Sequence, residues 1–193
     1  MIVVSIDIGY HNMGIVKSYI DDKTFEIKIL EIFKVDLTNL PHKKVSRWDC
    51  TLYHSNEVTD LFTHFIQEYG DYLTEADKIL IERQPPMGLT NIEALFLFVY
   101  RHKIELISPN AMHKHFHINV LEYESRKERT IEISKSFLEN FQEYQELSRK
   151  HDIADAVCMI IFRFHKDREK YRLSQVDKSL PFNHFIYKKP AEV

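Results

Sequence analysis

The feature that most constrains this chain is its opening stretch, Ile2-Val-Val-Ser-Ile-Asp-Ile-Gly-Tyr-His-Asn-Met-Gly14. An almost wholly apolar run of strand length, rich in Ile and Val and closed by a Gly, reads as a strand buried on both faces. In the middle of that run sits Asp7. A lone carboxylate buried in such a strand costs several kcal/mol or takes up a proton, unless a backbone amide or a cation meets it at the sheet's edge. The choice between those partners turns on how many further acids arrive at the same place.

Beyond that strand the sequence predicts a tight turn at Tyr10–Asn12 and a second strand over Met13–Ile20. After Asp21-Asp22-Lys23, the alternation of Phe25, Ile27 and Ile29 with charged neighbours marks a half-exposed third strand over Phe25–Asp36. Three strands joined by short turns make an antiparallel meander. Residues 37–53 read as an irregular loop carrying His and Lys. A helix follows over about Ser55–Tyr69, with Val58, Leu61, Phe62, Phe65 and Ile66 on one buried face. Lys78–Gln84 is a strand stopped by Pro85-Pro86. Thr90 caps a helix over Asn91–His102, Ile104–Ser108 is the fifth strand, and Pro109 opens a short helical turn. Tyr123–Phe141 is amphipathic with Ile131, Phe137, Leu138 and Phe141 inward, and a last helix covers about Asp152–Lys166.

This order predicts an α/β fold: a mixed five-stranded sheet, antiparallel meander first and parallel strands after, flanked by helices in the manner of ribonuclease-H-like domains. With 193 residues there is room for one well-cored domain, placed at 1–168. Residues 169–193, with Pro181, Phe182, Phe185 and Tyr187, read as a C-terminal tail that packs on the domain or contacts a second subunit.

Three further acids join Asp7. Glu82, in Ile79-Leu-Ile-Glu-Arg-Gln84, occupies the C-terminal end of a strand, where open α/β sheets put their sites. Strand alternation sets Glu82 and Gln84 on one face and Arg83 on the other. Asp152 and Asp155, in Lys150-His-Asp-Ile-Ala-Asp-Ala156, lie three apart on a helix and differ by roughly 60° around its axis, so they share a face. That face borders the apolar stripe Ile153, Ala156, Val157, Ile160, Ile161 and Phe164, which turns the acids toward the sheet. Capping or the helix dipole accounts for one aspartate in the first turn, not for two. If the helix crosses the sheet, Asp7, Glu82, Asp152 and Asp155 converge and stay ionised only around divalent cations. Carboxylate oxygens without His or Cys suit Mg²⁺, with Mn²⁺ as a substitute. Two such ions about 4 Å apart are the machinery of phosphodiester hydrolysis.

The motifs SIDIGYHNMG, LIERQ and KHDIADA together resemble those of the poxvirus-type Holliday junction resolvases, relatives of RuvC. The likeness covers most of residues 1–166. It implies a ribonuclease-H-like homodimer that cuts two symmetric strands of a four-way DNA junction with two Mg²⁺ per active site. It also implies that Asp7, Glu82, Asp152 and Asp155 are the metal ligands. The resemblance implies a lysine close to the site as well, for which Lys127 in Ser125-Arg-Lys-Glu-Arg129 is the best match, with Lys114, Arg126 and Arg129 as competitors. Arg126, Lys127, Arg129 and the basic segment Arg163–Arg172 are expected to rim the acids for phosphate contact, and Gln84 and Asn12 to lie beside them.

Other readings are narrower. A nuclease of the same fold acting on RNA–DNA hybrids or flaps and a non-catalytic junction-binding module stay open. A sugar-kinase or actin-like ATPase needs a second domain and phosphate loop for which there is no room. The net charge of −3 argues against a protein that coats nucleic acid. Two cysteines, Cys50 and Cys158, form no zinc or disulfide pattern and suggest a reducing compartment. With no transmembrane run or signal-like start, the expectation is an intracellular protein without membrane or small-molecule cofactor, in the host cytoplasm if the resemblance holds. His113, His115 and His117 alternate without partner ligands and read as structural or surface residues. His151-Asp152 mimics the HD pair of metal phosphohydrolases but lacks their upstream histidines.

Overall fold

A computed structural model describes residues 1–179. Five strands form one sheet: β1 (Ile2–Asp7), β2 (Met13–Ile20), β3 (Ile27–Val35), β4 (Lys78–Glu82) and β5 (Ile104–Ile107). Their order across the sheet is β3-β2-β1-β4-β5. The first three are paired antiparallel, while β4 and β5 are added parallel beyond β1. The meander and the two crossover strands are therefore as the sequence predicts. Each crossover carries a helix, α1 (Val58–Glu75) before β4 and α2 (Thr90–Tyr100) before β5, followed by α3 (Pro109–His115), α4 (Tyr123–Leu138), α5 (Gln142–Glu146) and α6 (His151–Ser179).

Strand alternation divides the core in two. Val4 and Ile6 of β1 and Ile79 and Ile81 of β4 face α1 and α2, packing with Phe62, Phe65 and Phe96. Val3 of β1, Val16 of β2 and Leu80 of β4 face the other way, onto Ile153, Ala156, Val157 and Ile160 of α6. The α6 stripe expected from sequence is buried throughout, from Ile153 to Phe164. Each fully buried aliphatic side chain there contributes on the order of 1.5–3 kcal/mol. Asp7 shares the parity of Val3, and Glu82 that of Leu80, so the same alternation turns both acids toward α6.

Several boundaries differ from expectation. Asp7 is the last residue of β1, not its middle, because the ladder to β2 ends at the Asp7–Gly14 pair. β4 stops at Glu82, with Gln84 already in the following loop. Helix α1 continues to Glu75, and Thr90 is the first residue of α2 instead of its cap. The amphipathic segment 123–141 is broken after Leu138, and α4 buries Thr130, Ser134 and Leu138, whereas Ile131 is only half-buried. Small hydroxyl residues at four-residue spacing let α4 lie close on α6, and each hydroxyl is satisfied by the carbonyl three residues earlier. Helix α6 runs past Lys166 to Ser179, so the first part of the expected tail is helical. Pro181, Phe182, Phe185 and Tyr187 lie outside the described residues. Cys158 is buried and donates to the Thr130 carbonyl at 3.6 Å, as suits a small core residue.

Candidate active site

Three elements deliver the acids. The register of β1 and β4 ends with Ile6 beside Ile81, so Asp7 and Glu82 emerge next to each other at the carboxyl ends of parallel strands. Asp152 and Asp155 come from the first turn of α6. That turn is seated on β2 at Gly14, where an added β carbon would lie 2.6 Å from the carbonyl carbon of Asp152. Since Gly14 is also the ladder partner of Asp7, one glycine brings the helix's first acid up to the strand's last. All four acids line one pocket of about 420 Å³, together with Asn12, His113, Tyr123, Arg126, Lys127, Thr130, Arg149 and His151.

The electrostatics are those of anions crowded together. The Asp7 carboxyl is pushed well above the usual carboxylate range, first by burial and then by Asp155, Glu82 and Asp152. Burial also raises Glu82, against the opposing effect of a hydrogen bond with Asp7. Burial brings Asp155 up to about 7, with the Thr130 hydroxyl acting in the other direction. Acids crowded this closely hold protons more tightly unless a cation takes their place.

Asp152 is held differently. Its carboxylate is nearly inaccessible and accepts from Arg149 Nε at 3.0 and 3.1 Å, with Lys34 Nζ at 3.6 Å. The Lys127 ammonium lies on the pocket wall, 3.9 Å above the Tyr123 ring centroid and 3.6 Å from Glu124, and Tyr123 raises its affinity for the proton. Burial pushes the neighbouring His151 imidazole toward its neutral form.

Asp7, Glu82, Asp152, Asp155, Lys127, Arg126 and Asn12 are thus gathered in one place. The other candidates, Gln84, Lys114, Arg129 and the Arg163–Arg172 segment, do not line that pocket. Gln84 folds back, its amide nitrogen donating to the Glu82 carbonyl at 3.3 Å and its oxygen accepting from Leu89 N–H at 3.3 Å. Arg129 pairs with Glu132 on the outer face of α4. Of the basic segment after the core, Arg163 is occupied by Glu105 and Asp167. The sequence reading missed Arg149, Lys34, Tyr123 and Thr130. Arg149 had a signal, its three-residue spacing to Asp152. The alternating histidines do not gather: His113 lines the acidic pocket, while His115 meets His165 at 3.1 Å.

The donor set is carboxylate oxygen throughout, which fits a hard divalent cation. Among the described residues no three of these acids bring ligand oxygens within 4.8 Å of one another. They span a wider pocket.

The fold and this pocket define the class, a ribonuclease-H-like domain with acids clustered at the carboxyl ends of its central strands. The chain belongs to the poxvirus A22 protein family, whose model matches residues 1–164. No curated protein matches it in sequence. Among solved structures it is similar to the fowlpox virus resolvase in complex with Holliday junction DNA. That likeness has 16% identity and a TM-score of 0.64, over 86% of this chain and 98% of that one. The fowlpox virus Holliday junction resolvase alone gives 17% identity and a TM-score of 0.57, over 86% and 99%. RuvC of Thermus thermophilus gives 12% and 0.56, over 88% and 97%. The resemblance read from the three acidic motifs is therefore borne out, and so is the ribonuclease-H-like fold.

Proposed function

We propose that this protein is a Mg²⁺-dependent endonuclease that resolves four-way DNA junctions by paired, symmetric phosphodiester hydrolysis. The observation that carries the reading is the convergence of Asp7, Glu82, Asp152 and Asp155, from β1, β4 and α6, on one pocket where burial and mutual repulsion raise three of their pKa values. Acids so arranged hold protons when alone and divalent ions when ions are offered. When bound, a pair of Mg²⁺ or Mn²⁺ ions supplies an activated water and stabilisation of the departing oxygen.

The chain's own residues do the rest. Asp7, Glu82, Asp152 and Asp155 provide the oxygens, and Arg149 and Lys34 hold Asp152 in one orientation. Lys127 stabilises negative charge developing on the scissile phosphate. Arg126 binds the backbone of the same strand where it enters the pocket. Two such sites on a homodimer match the near-twofold symmetry of an open junction, and selection is by shape more than by base edges. The fowlpox virus resolvase complex, and a further structure of Thermus thermophilus RuvC, hold Holliday junction substrates, which supports the same substrate here. Family membership favours the host cytoplasm as the place of action, and no described helix is long and apolar enough to cross a membrane.

The test compares initial cleavage rates on a synthetic four-way junction, a linear duplex and an RNA–DNA hybrid of matched sequence, all with Mg²⁺. Preference for the junction is expected. Equal cutting of the duplex, or faster cutting of the hybrid, would replace this reading with a general or hybrid nuclease.

A further inference from the structure

A second cluster lies away from the acids. His42, His54 and His64 offer one ligand atom each, and all three atoms lie within 4.8 Å of one another. Their ring centroids are 4.4 to 5.5 Å apart. His64 is on α1 and 7% exposed, while His42 and His54 come from the connection between β3 and α1. We propose that these three imidazoles form a Zn²⁺ site, separate from the acidic pocket, that staples this connection to helix α1.

Two observations converge on a metal. His42 Nδ1 and His64 Nε2 are both buried without a hydrogen-bond partner. A buried polar atom left unpaired costs about 1–3 kcal/mol, and two in one cluster are hard to retain unless an ion uses them. Second, the geometry is near closure. Tetrahedral zinc with Zn–N of about 2.0–2.1 Å needs nitrogens about 3.4 Å apart, so each pair must close by at most about 1.4 Å. His54 is exposed, so its ring has room to turn toward the other two. Imidazole nitrogens select zinc over magnesium, whereas the carboxylates of the other pocket select the reverse, so the two sites sort their metals by donor type.

The connection gives the site its purpose. Residues 36–57 separate β3 from α1, and a single 3-10 turn at Leu37–Asn39 is their only helix or strand. A structureless connection of this length is uncommon in a domain unless something fixes it. Glu68, one turn beyond His64, already accepts the backbone N–H groups of Lys43 and Lys44 at 2.9 and 3.1 Å, next to His42. The cavity beside the histidines, about 240 Å³ and lined in part by Thr38, Asn39, Ser55 and Asn56, leaves room for a water as the fourth ligand. The same segment begins against the rim of the acidic pocket, with Leu37 N–H donating to the Tyr10 carbonyl at 2.7 Å and Thr38 Oγ 3.2 Å from His11 Nδ1. A stapled loop thus steadies that rim. The zinc site itself does not depend on the junction-cleaving reading.

The experiment titrates metal-free, full-length protein with Zn²⁺ under excess Mg²⁺, against a chromophoric chelator. Trp48, the chain's single tryptophan, is 95% exposed within the segment and reports closure by its fluorescence anisotropy. One Zn²⁺ per chain is expected, with raised Trp48 anisotropy and a melting temperature that climbs with Zn²⁺. His54→Asn, at an exposed position, should weaken binding by roughly a hundredfold, the upper end of what a supporting partner alone is worth. His102→Asn, also exposed, and Asp155→Asn should leave binding unchanged. Absence of stoichiometric Zn²⁺ in the wild type, survival of tight binding in His54→Asn, or its loss in Asp155→Asn would overturn the proposal. Co²⁺ gives an independent reading: visible bands of a tetrahedral nitrogen site in the wild type but not in His54→Asn support it, and identical spectra refute it.

Discussion

The first turn of α6 rests on Gly14 so closely that a β carbon there would lie 2.6 Å from the carbonyl carbon of Asp152. Backbone meets backbone at this point, so nothing flexible can yield. Because Gly14 is paired with Asp7 in the β1–β2 ladder, the absence of one methyl group fixes the separation of two acids.

Gly14→Ala should therefore push α6 off the sheet. Overpacking of this kind costs about 1–3 kcal/mol, or roughly 2–12 °C of melting temperature in a chain of this size. Cleavage should fall further than stability does, since the metal ligands part. Gly70→Ala on α1, where the nearest atom is the movable Ile66 Cγ2 at 3.3 Å, should change both far less. Thermal melts and junction cleavage on the two variants check this.

Stability should depend on pH in an unusual direction. Asp7, Glu82 and Asp155 all bind their protons more tightly in the fold than in the unfolded chain, Asp155 with a value of about 7. The native state then holds more protons between the ordinary carboxylate range and neutrality, and stability falls as pH rises through that window. Metal-free protein should melt several degrees higher at about pH 5 than at about pH 8. Mg²⁺ should recover most of the difference at the higher pH, and Asp155→Asn should flatten the profile. A melting temperature that rises over this range without metal would contradict the account.

Much of this arrangement is legible in the sequence, for physical reasons that differ by residue. Glu82 ends a Val/Ile/Leu-type strand before a Pro-Pro stop, and Asp152 and Asp155 border a regular apolar stripe, so period and breaker locate them. Gly14 is visible as a glycine, yet what it accommodates is a helix more than a hundred residues later, which no local pattern encodes. On α4 and just after it, Leu138 is buried and Phe137 and Phe141 pack on the core as the pattern predicts, but Thr130 and Ser134 are buried by close helix contact and not by hydrophobicity, which no apolar period marks. The histidines that gather come from positions 42, 54 and 64, brought together by an irregular connection that has no period to read.

Of the basic residues, Lys127 and Arg126 line the pocket while Arg129 does not. Lys127→Ala should slow single-turnover cleavage by roughly a hundredfold, as expected for a group that stabilises developing charge, with junction affinity little changed. Arg126→Ala should weaken junction binding and reduce the slope of log affinity against log salt by about 0.9. Arg129→Ala should alter either quantity much less. Equal effects from Arg126 and Arg129 would remove the distinction drawn from their positions.

Arg149→Met leaves Asp152 buried with Lys34 as its remaining cation at 3.6 Å. A lower melting temperature without metal is expected, with the loss reduced by Mg²⁺, because a bound cation takes over the charge compensation. Melts with and without Mg²⁺ decide this, and a loss that Mg²⁺ leaves untouched would assign Arg149 a purely structural part.

The most direct test of the central claim maps product ends at nucleotide resolution on all four strands of a synthetic junction, with and without Mg²⁺, for wild type and for Asp7→Asn. The account predicts paired nicks at symmetric positions on two opposing strands, present only with Mg²⁺ and reduced more than about a hundredfold in Asp7→Asn. Cleavage that persists in chelator, or that Asp7→Asn retains in full, would contradict it.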